Sequence, residues 1–490
     1  MEKRNGKEDH EGRPPDMELS VAYNGRPRRK CKMLYSLVLL LLLVISLVST
    51  ATRLQNIALP SFGFSDTSDS DKAKFLLGQE NEDYWCDRSD RRTDVCYIQG
   101  NVHLFPEYVE KKVLLQLYSN DKSTWHGEEE IRPFTRKYDA SATELVEYVT
   151  LRSKYLEFFQ PVESACGVKH SAPLLVFSAG GFTGNLYHDF QDVLVPLFIT
   201  SRFYEGHVVF GITQAREWWL RKFKPLLELM TKHNIIDLKR DKEVHCFPEA
   251  VIGLRVHGEL KVDPTLMPHN ESMKDFQLLL QEAYGGGEDN ARTKIQEGSR
   301  CLRSRASQSW AAGCKLKLVI VARNDTRVIL NQSQVASLAQ KEGFDVQILT
   351  PWGGSMLTNL YRIIHNADVM MGVHGAALTH MLFMRPRSVL IQIVPLGTNW
   401  PSLTYFQEPA VNRLDLQYVE YRITPEESTL SRIYGRDHAI VKDPEAFIAK
   451  KWETRKKIYM QGQDVRLALP KLKLALRDAK RLALQSLDPK

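Results

Sequence analysis

Between Lys315 and Val394 short aliphatic runs alternate with helical stretches, and that alternation limits the fold more than any other feature of the chain. Lys315–Arg323 (KLKLVIVAR), Asp345–Thr350 (DVQILT), Asp368–Gly372 (DVMMG) and Val389–Val394 (VLIQIV) read as buried strands. Gln332–Gly343, Met356–Ala367 and Ala376–Met384 between them read as helices. Strands separated by helices of this length pack as a parallel, doubly wound sheet. The first half repeats the texture less regularly, with strands at Leu174–Ser178 and Val208–Thr213 and helices at Tyr187–Phe198 and Trp218–Lys232. The expectation is an α/β protein of two Rossmann-like domains facing a cleft, with ligands beyond the carboxyl ends of the strands.

A second feature places the chain. Met33–Ala51 (MLYSLVLLLLLVISLVSTA) is nineteen residues without a charge, enough to cross a hydrocarbon core of about 30 Å. Arg26, Arg28, Arg29, Lys30 and Lys32 precede it, and only Arg53 follows closely. The positive-inside bias then keeps the N-terminus cytosolic and the C-terminus lumenal. A cleaved signal peptide fits less well, because the polar lead is long and the apolar run unbroken. The expected organisation is a cytosolic tail (1–32), a transmembrane anchor (33–51), a stem (52–83), two domains (84–310 and 311–450) and closing helices (451–490). The stem carries the polar run Asp66–Asp71, and the Gly-, Ser- and Arg-rich stretch from Gly285 to Ser309 marks a loop between the halves.

The net charge of +7 suggests a nucleic-acid partner until it is located. The first 32 residues carry +3 and the segment from Lys450 onward +8, so everything between is at −4. A nucleic-acid protein concentrates its positive charge on the folded domain, so that partner is excluded. Three sequons follow the anchor, at Asn270, Asn324 and Asn331, and permit glycosylation of a lumenal part. So do six of the seven cysteines. Cys86 with Cys96 and Cys301 with Cys314 are the close pairs expected to bridge; spacing alone does not fix the connectivity.

Three segments carry the chemistry. Gly372–Ala377 (GVHGAA) leaves a strand and opens a helix. Gly375 permits close backbone approach, and the amides of Ala376 and Ala377 head the helix as an anion site suited to a diphosphate. His374 on that loop is placed to bond a phosphate or the reacting hydroxyl, and a structural histidine in a tight turn is the plainer alternative. Arg323-Asn-Asp-Thr-Arg327 ends the neighbouring strand, where guanidinium groups offset charge on a departing nucleoside diphosphate. Two solvated arginines are the plainer reading. Ser178–Asn185 (SAGGFTGN) turns off a strand into a helix bearing His188, Asp189 and Asp192. His188 and Asp192 share a helical face, and a carboxylate-oriented base is what deprotonating a sugar hydroxyl requires. Helix-start carboxylates that merely favour the dipole explain the same acids.

No metal is expected: the Asp-x-Asp pattern of metal-dependent glycosyltransferases occurs only at Asp69–Asp71 in the stem, and no Cys/His set has zinc spacing. The tail Val465–Leu484 alternates apolar and basic residues at near-helical spacing. It reads as a packed closing helix with a solvated basic face rather than a lipid-binding one.

With these residues in view, the chain resembles glycosyltransferase family 61, in the manner of its plant members that substitute xylan. The likeness is carried by Leu174–Arg202, Gly372–Pro386, Tyr405–Arg422 and the Cys86/Cys96 segment, in order, from about Tyr84 to Leu484. The resemblance implies an inverting transferase of the GT-B fold, acting without a bound metal on a UDP-pentose donor and adding arabinofuranosyl or xylosyl units to xylan. It implies a Golgi membrane protein of type II topology, with its catalytic part in the lumen, open to complexes with other glycosyltransferases. Carried over by position, His374, Gly375 and Ala376 line the donor diphosphate beside Arg323 and Arg327, Glu408 holds the donor ribose, and Asn185, His188, Asp189 and Asp192 face the acceptor. At one position the chain departs from the pattern, having Ala377 where many relatives have glycine. The rival readings are a protein-glycan N-acetylglucosaminyl- or xylosyltransferase, and a non-catalytic subunit of a glycan-synthesising complex.

Overall fold

A computed structural model describes residues 83–106, 112–119, 125–155, 166–286, 315–351, 354–448 and 452–487. The apolar stretch 33–51, the stem up to residue 82, Cys301 and Cys314 lie outside the described residues. Among the described residues no helix is long and apolar enough to cross a membrane.

Ten strands build the first sheet: β1 (Tyr84–Asp87), β2 (Val95–Phe105), β3 (Val113–Ser119), β4 (Glu128–Ile131), β5 (Val149–Tyr155), β6 (Val168–Lys169), β7 (Leu174–Ser178), β8 (Val209–Thr213), β9 (Ile236–Asp237) and β10 (His245–Ile252). Five more build the second: β11 (Leu316–Val321), β12 (Phe344–Leu349), β13 (Val369–Val373), β14 (Val389–Val394) and β15 (Gln417–Arg422).

The second sheet is parallel throughout, in the order β12-β11-β13-β14-β15. Of its inner strands, β13 and β14 have no exposed residue and β11 exposes only Lys317, because helices cover both faces of a doubly wound sheet. The chain leaves β11 toward one edge and returns to β13 on the other side of it. The loops after β11 and β13 therefore diverge and leave a crevice between them. They carry Arg323 and His374. The helix Leu469–Leu487 closes this half, laying Leu472, Leu476, Ala479 and Ala483 into the same core as the strands. Its Lys473 and Arg477 pair with Glu342 on the outside.

The first sheet departs from the expected all-parallel form. Its order is β4-β5-β3-β2-β10-β7-β8-β9, and β2 runs antiparallel to both β3 and β10. β10, β7, β8 and β9 form one parallel run, β6 pairs parallel with β10, and β3 pairs parallel with β5. The connections account for it: the seven residues between Phe105 and Val113 are too few for the crossover that a parallel pair needs, so β3 returns antiparallel to β2, whereas β3 and β5 have β4 between them. Cys86 and Cys96 are directly opposed on β1 and β2 and are bridged. A second bridge, not foreseen, joins Cys166 to Cys246 on β10 across 80 residues of chain.

One apolar core runs through both halves: Phe190 packs edge-on against Phe223, Phe276 and Phe383 at centroid distances of 6.0–6.2 Å. The helix that follows β7 is not uniform. Leu186–His188 is α-helical, Asp189–Leu194 forms a π turn, and Val195–Ser201 is α-helical again. Pro196 explains the widening. It has no N–H for the carbonyl of Asp192 four residues back, and its ring crowds that carbonyl. The orphaned oxygen instead accepts a bond from Thr135 Oγ1 at 2.7 Å.

Candidate active site

A cavity of about 530 Å3 opens where the loops after β7, β11 and β13 meet. Among the described residues, all three π turns border it or stand directly behind it: Asp189–Leu194, Leu403–Gln407 with Tyr405 and Phe406, and Lys456–Met460. Such turns concentrate at functional sites, because an extra residue in the ladder re-aims the side chains around it.

One end of the cavity is cationic. Arg323 is anchored through Nε to the carbonyl of Thr326 at 2.6 Å, and its Nη2 reaches Asp325 at 3.2 Å. Arg327 donates to the carbonyl of His374 at 2.8 Å and has no carboxylate partner among the described residues. Burial and the neighbouring Arg323 push its pKa down to about 9. A desolvated guanidinium without a counter-ion is a costly arrangement unless a ligand supplies the negative charge. Gly375 sits between the two arginines at φ +151°; a Cβ there would come within 2.8 Å of Arg323 Nη1 and 3.2 Å of Arg327 Nη1. Only glycine fits that backbone without displacing a guanidinium. The 3₁₀-helix Ala376–Phe383 begins at the next residue, and its first amides have no acceptor within the helix.

His374 has a defined tautomer. Tyr418 donates to Gln392 Oε1 at 2.9 Å, which turns the Gln392 amide N–H toward His374 Nδ1 at 3.1 Å. Nδ1 is thus an acceptor, and the proton sits on Nε2 of a ring that lines the cavity. Burial, then Arg327 and Arg323, hold this imidazole well below its ordinary pKa, so it is neutral. It is a hydrogen-bond donor and not a base.

The other end holds a different histidine. His188 Nδ1 lies 2.7 Å from Asp192 Oδ2, so Nδ1–H donates a hydrogen bond to the carboxylate and Nε2 is left as a lone-pair acceptor on a side chain that lines the cavity. Asp192 is wholly buried, and its Oδ1 faces Arg92 at 3.2 Å and Arg136 at 3.6 Å. Burial works against the charge of Arg136, but Asp192, Tyr138 and Asp139 outweigh it and hold its pKa above the usual value. Arg92 also pairs with Glu259, which accepts the hydroxyl of Tyr187 at 2.7 Å. The result is a base oriented by a carboxylate that two arginines keep in place.

Residues 186–391 match the glycosyltransferase 61 family model. The xylan glycosyltransferase MUCI21 of Arabidopsis thaliana is 37% identical over 475 residues, covering 93% of this chain and 92% of that protein. The chain belongs to glycosyltransferase family 61. Two Oryza sativa subsp. japonica relatives are also similar to this family 61 chain. The alpha-1,3-arabinosyltransferase XAT3 is 34% identical over 86% of this chain and 69% of its own length. The beta-1,2-xylosyltransferase XAX1 is 32% identical over 79% and 65%. The solved dodecameric iron-containing heptosyltransferase TibC aligns at TM-score 0.25 with 11% identity over 71% of this chain and 83% of that one, too loosely to bear on the site.

Most of the catalytic and binding residues singled out in this family 61 sequence converge, and two, Asp189 and Glu408, do not. Asn185, His188, Arg323, Arg327, His374, Gly375 and Ala376 line one cavity, with Asp192 directly behind His188. Asn185 also caps its helix, accepting from Tyr187 N at 3.1 Å. Asp189 does not face the acceptor side: it is fully buried and accepts the amide of Gly184 at 2.9 Å and the indole N–H of Trp219 at 3.0 Å. The π turn rotates Asp189 inward, where it pins the glycine turn to the helix Glu217–Met230. Glu408 starts the helix Glu408–Asn412, one turn past Tyr405, and is not among the residues lining the cavity. Asn331 is a poor glycan acceptor, because its amide is buried and bonds both the carbonyl and the N–H of Leu467, at 2.9 and 3.0 Å. Asn270 and Asn324 are exposed. Sequence reasoning missed Arg92, Arg136, Glu259 and Gln392, because nothing local marks them: each reaches the site from another element. Among the described residues no group of three His, Cys, Asp or Glu side chains is arranged to hold a metal ion.

Proposed function

We propose that this chain is a type II Golgi membrane glycosyltransferase of the GT-B architecture. It transfers a pentose, arabinofuranose or xylose, from a UDP-sugar to side positions of xylan with inversion. One observation carries the reading: a single cavity holds guanidinium groups that lack a full complement of anions and, opposite them, a carboxylate-oriented histidine. That pairing suits a single displacement. Nε2 of His188 takes the proton of an acceptor hydroxyl while the oxygen attacks the anomeric carbon, and Asp192 steadies the imidazolium that forms. The bond to the diphosphate breaks on the opposite side. Arg323, Arg327, the Nε2–H of His374 and the amides after Gly375 meet the charge that grows there. With two guanidinium groups at the leaving group, the chemistry has no need of a divalent ion. The choice of pentose and xylan is supported by the arabinosyl- and xylosyltransferases among the relatives.

The test is UDP release by the full chain, made in a secretory host and purified in detergent, with each UDP-sugar and a xylan oligosaccharide. Acceptor-dependent release with a pentose donor, unchanged by EDTA, is expected. Release only with UDP-N-acetylglucosamine and a protein glycan would replace the acceptor class. No release with any donor from folded protein would leave a non-catalytic subunit.

A further inference from the structure

The cavity does not end at His188. A second hollow of about 680 Å3 continues from it, and Arg136, Asp139, Ser141 and Tyr405 line both. Three aromatic rings stand along this groove. Trp400 is 50% and Tyr138 42% exposed, so each leaves ring surface free for a ligand. Both are held in place. Trp400 packs edge-on against Tyr405 at 5.4 Å, and Arg455 lies 5.9 Å from its ring. Tyr138 has the guanidinium groups of Arg91, Arg136 and Arg92 at 5.2, 5.3 and 5.7 Å.

The two hollows differ in charge. The donor end holds Arg323, Arg327 and Lys456, with Asp325 the only acid lining the cavity that is not also shared with the groove. The groove balances three arginines (Arg91, Arg92, Arg136) against three acids (Asp139, Glu259, Glu453). Arg92 and Arg136 are further committed to Asp192, Glu259 and Asp139. An anion gains little in a compensated field, whereas fixed rings beside satisfied polar groups suit an uncharged ligand with apolar faces and many hydroxyls. Sugar rings in an equatorially linked chain have that character: C–H bonds on the faces, hydroxyls at the rim.

We propose that this groove binds an uncharged stretch of the acceptor's pyranose main chain, next to the unit that receives the sugar, with Trp400 and Tyr138 as stacking platforms. The proposal rests on the reading of the adjoining cavity as the transfer site. Continuity through Arg136 and Tyr405 puts a chain lying in the groove in line with Nε2 of His188. The enzyme then selects the acceptor by its unsubstituted backbone, before the chemistry.

The experiment compares xylo-oligosaccharide acceptors, a disaccharide and a hexasaccharide, with the full chain and its Trp400→Ala, Tyr138→Ala and Trp400→Phe forms. For the unaltered chain, kcat/KM for the hexasaccharide exceeds that for the disaccharide by about tenfold or more, carried by KM. Both alanine forms lose that gain through KM, and Trp400→Phe keeps most of it. The gain is insensitive to salt. The proposal is overturned if lengthening the acceptor brings no gain, if the alanine forms retain it, or if a uronic-acid-bearing oligosaccharide is preferred in a salt-dependent way. UDP binding, measured on the same preparation, separates the two readings: chain-length independence with intact UDP binding and transfer removes only the groove, while absence of UDP binding removes the transfer site and the groove together.

Discussion

At the scale of single residues, the two histidines of the cavity carry opposite tautomers, and neighbours impose both. His188 donates a hydrogen bond from Nδ1–H to Asp192 and keeps Nε2 as an acceptor; His374 accepts a hydrogen bond at Nδ1 from the Gln392 amide and presents Nε2–H. Replacing His188 with alanine is expected to lower kcat by roughly 10²–10⁴-fold, the usual worth of a general base, with UDP affinity measured by calorimetry little changed. Replacing His374 instead weakens UDP binding, by about tenfold or more for a lost bond to a charged group. Arg327 makes a pH prediction. Its pKa of about 9 in the folded chain lies below that of an unfolded arginine, so above about pH 9 the folded state holds fewer protons than the unfolded one. Its contribution to stability therefore rises with pH there, as the charge that burial disfavours is shed. Diphosphate affinity moves the other way, because the ligand needs that charge. UDP titrations from neutral to about pH 10 should show constant affinity and then a decline toward tenfold per pH unit. Constant affinity across the whole range would remove Arg327 from the site.

At the scale of elements, the site depends on pieces distant in sequence. The loop between β1 and β2 holds Arg92 against Asp192, and the bridge from Cys86 to Cys96 closes that loop at its base. Changing both cysteines to serine is expected to reduce kcat while leaving UDP binding near normal, since the loop serves the base end and not the arginine end. Equal losses in both would contradict that division. Proline shapes two of the helices. Pro196 and Pro409 each follow a π turn, and the residues those turns present include Asp192 in one case and Tyr405 in the other. The helix after β7 was legible in sequence from its glycine turn and Asn185 cap, but the π turn was not. For that reason His188 and Asp192 were rightly paired while Asp189 was assigned to the wrong face.

At the scale of the whole molecule, the closing segment ties the chain's end to the half built on the second sheet. Val465 bridges to Ile329, Leu467 is held by the Asn331 amide, and the helix Leu469–Leu487 seals the core of the second sheet. Asn331→Ala should cost about 1–3 kcal/mol, the penalty for leaving buried backbone groups unpaired, read from the urea midpoint of the detergent-purified chain. In protein from a secretory host, peptide mapping after deglycosylation should find Asn331 unmodified; a glycan there would contradict the packing. The second bridge spans 80 residues, and its loss is worth about 4–5 kcal/mol on chain-entropy grounds.

Legible in the sequence alone are the parallel second sheet, the glycine turn at Gly375 and the nearness of Cys86 to Cys96. In each, the signal is local: unbroken aliphatic runs need cover on both faces, a glycine between a strand and a helix start marks a tight turn, and two cysteines ten residues apart can meet across a hairpin. Set by packing instead are the antiparallel register of β2, the burial of Asp189 and Asn331, the place of Gly375 between Arg323 and Arg327, and the arginines and glutamine that fix the two tautomers. Most of those depend on groups that meet across 18 to 167 residues of chain, where one side chain's role is set by what packs against it and not by its neighbours in sequence.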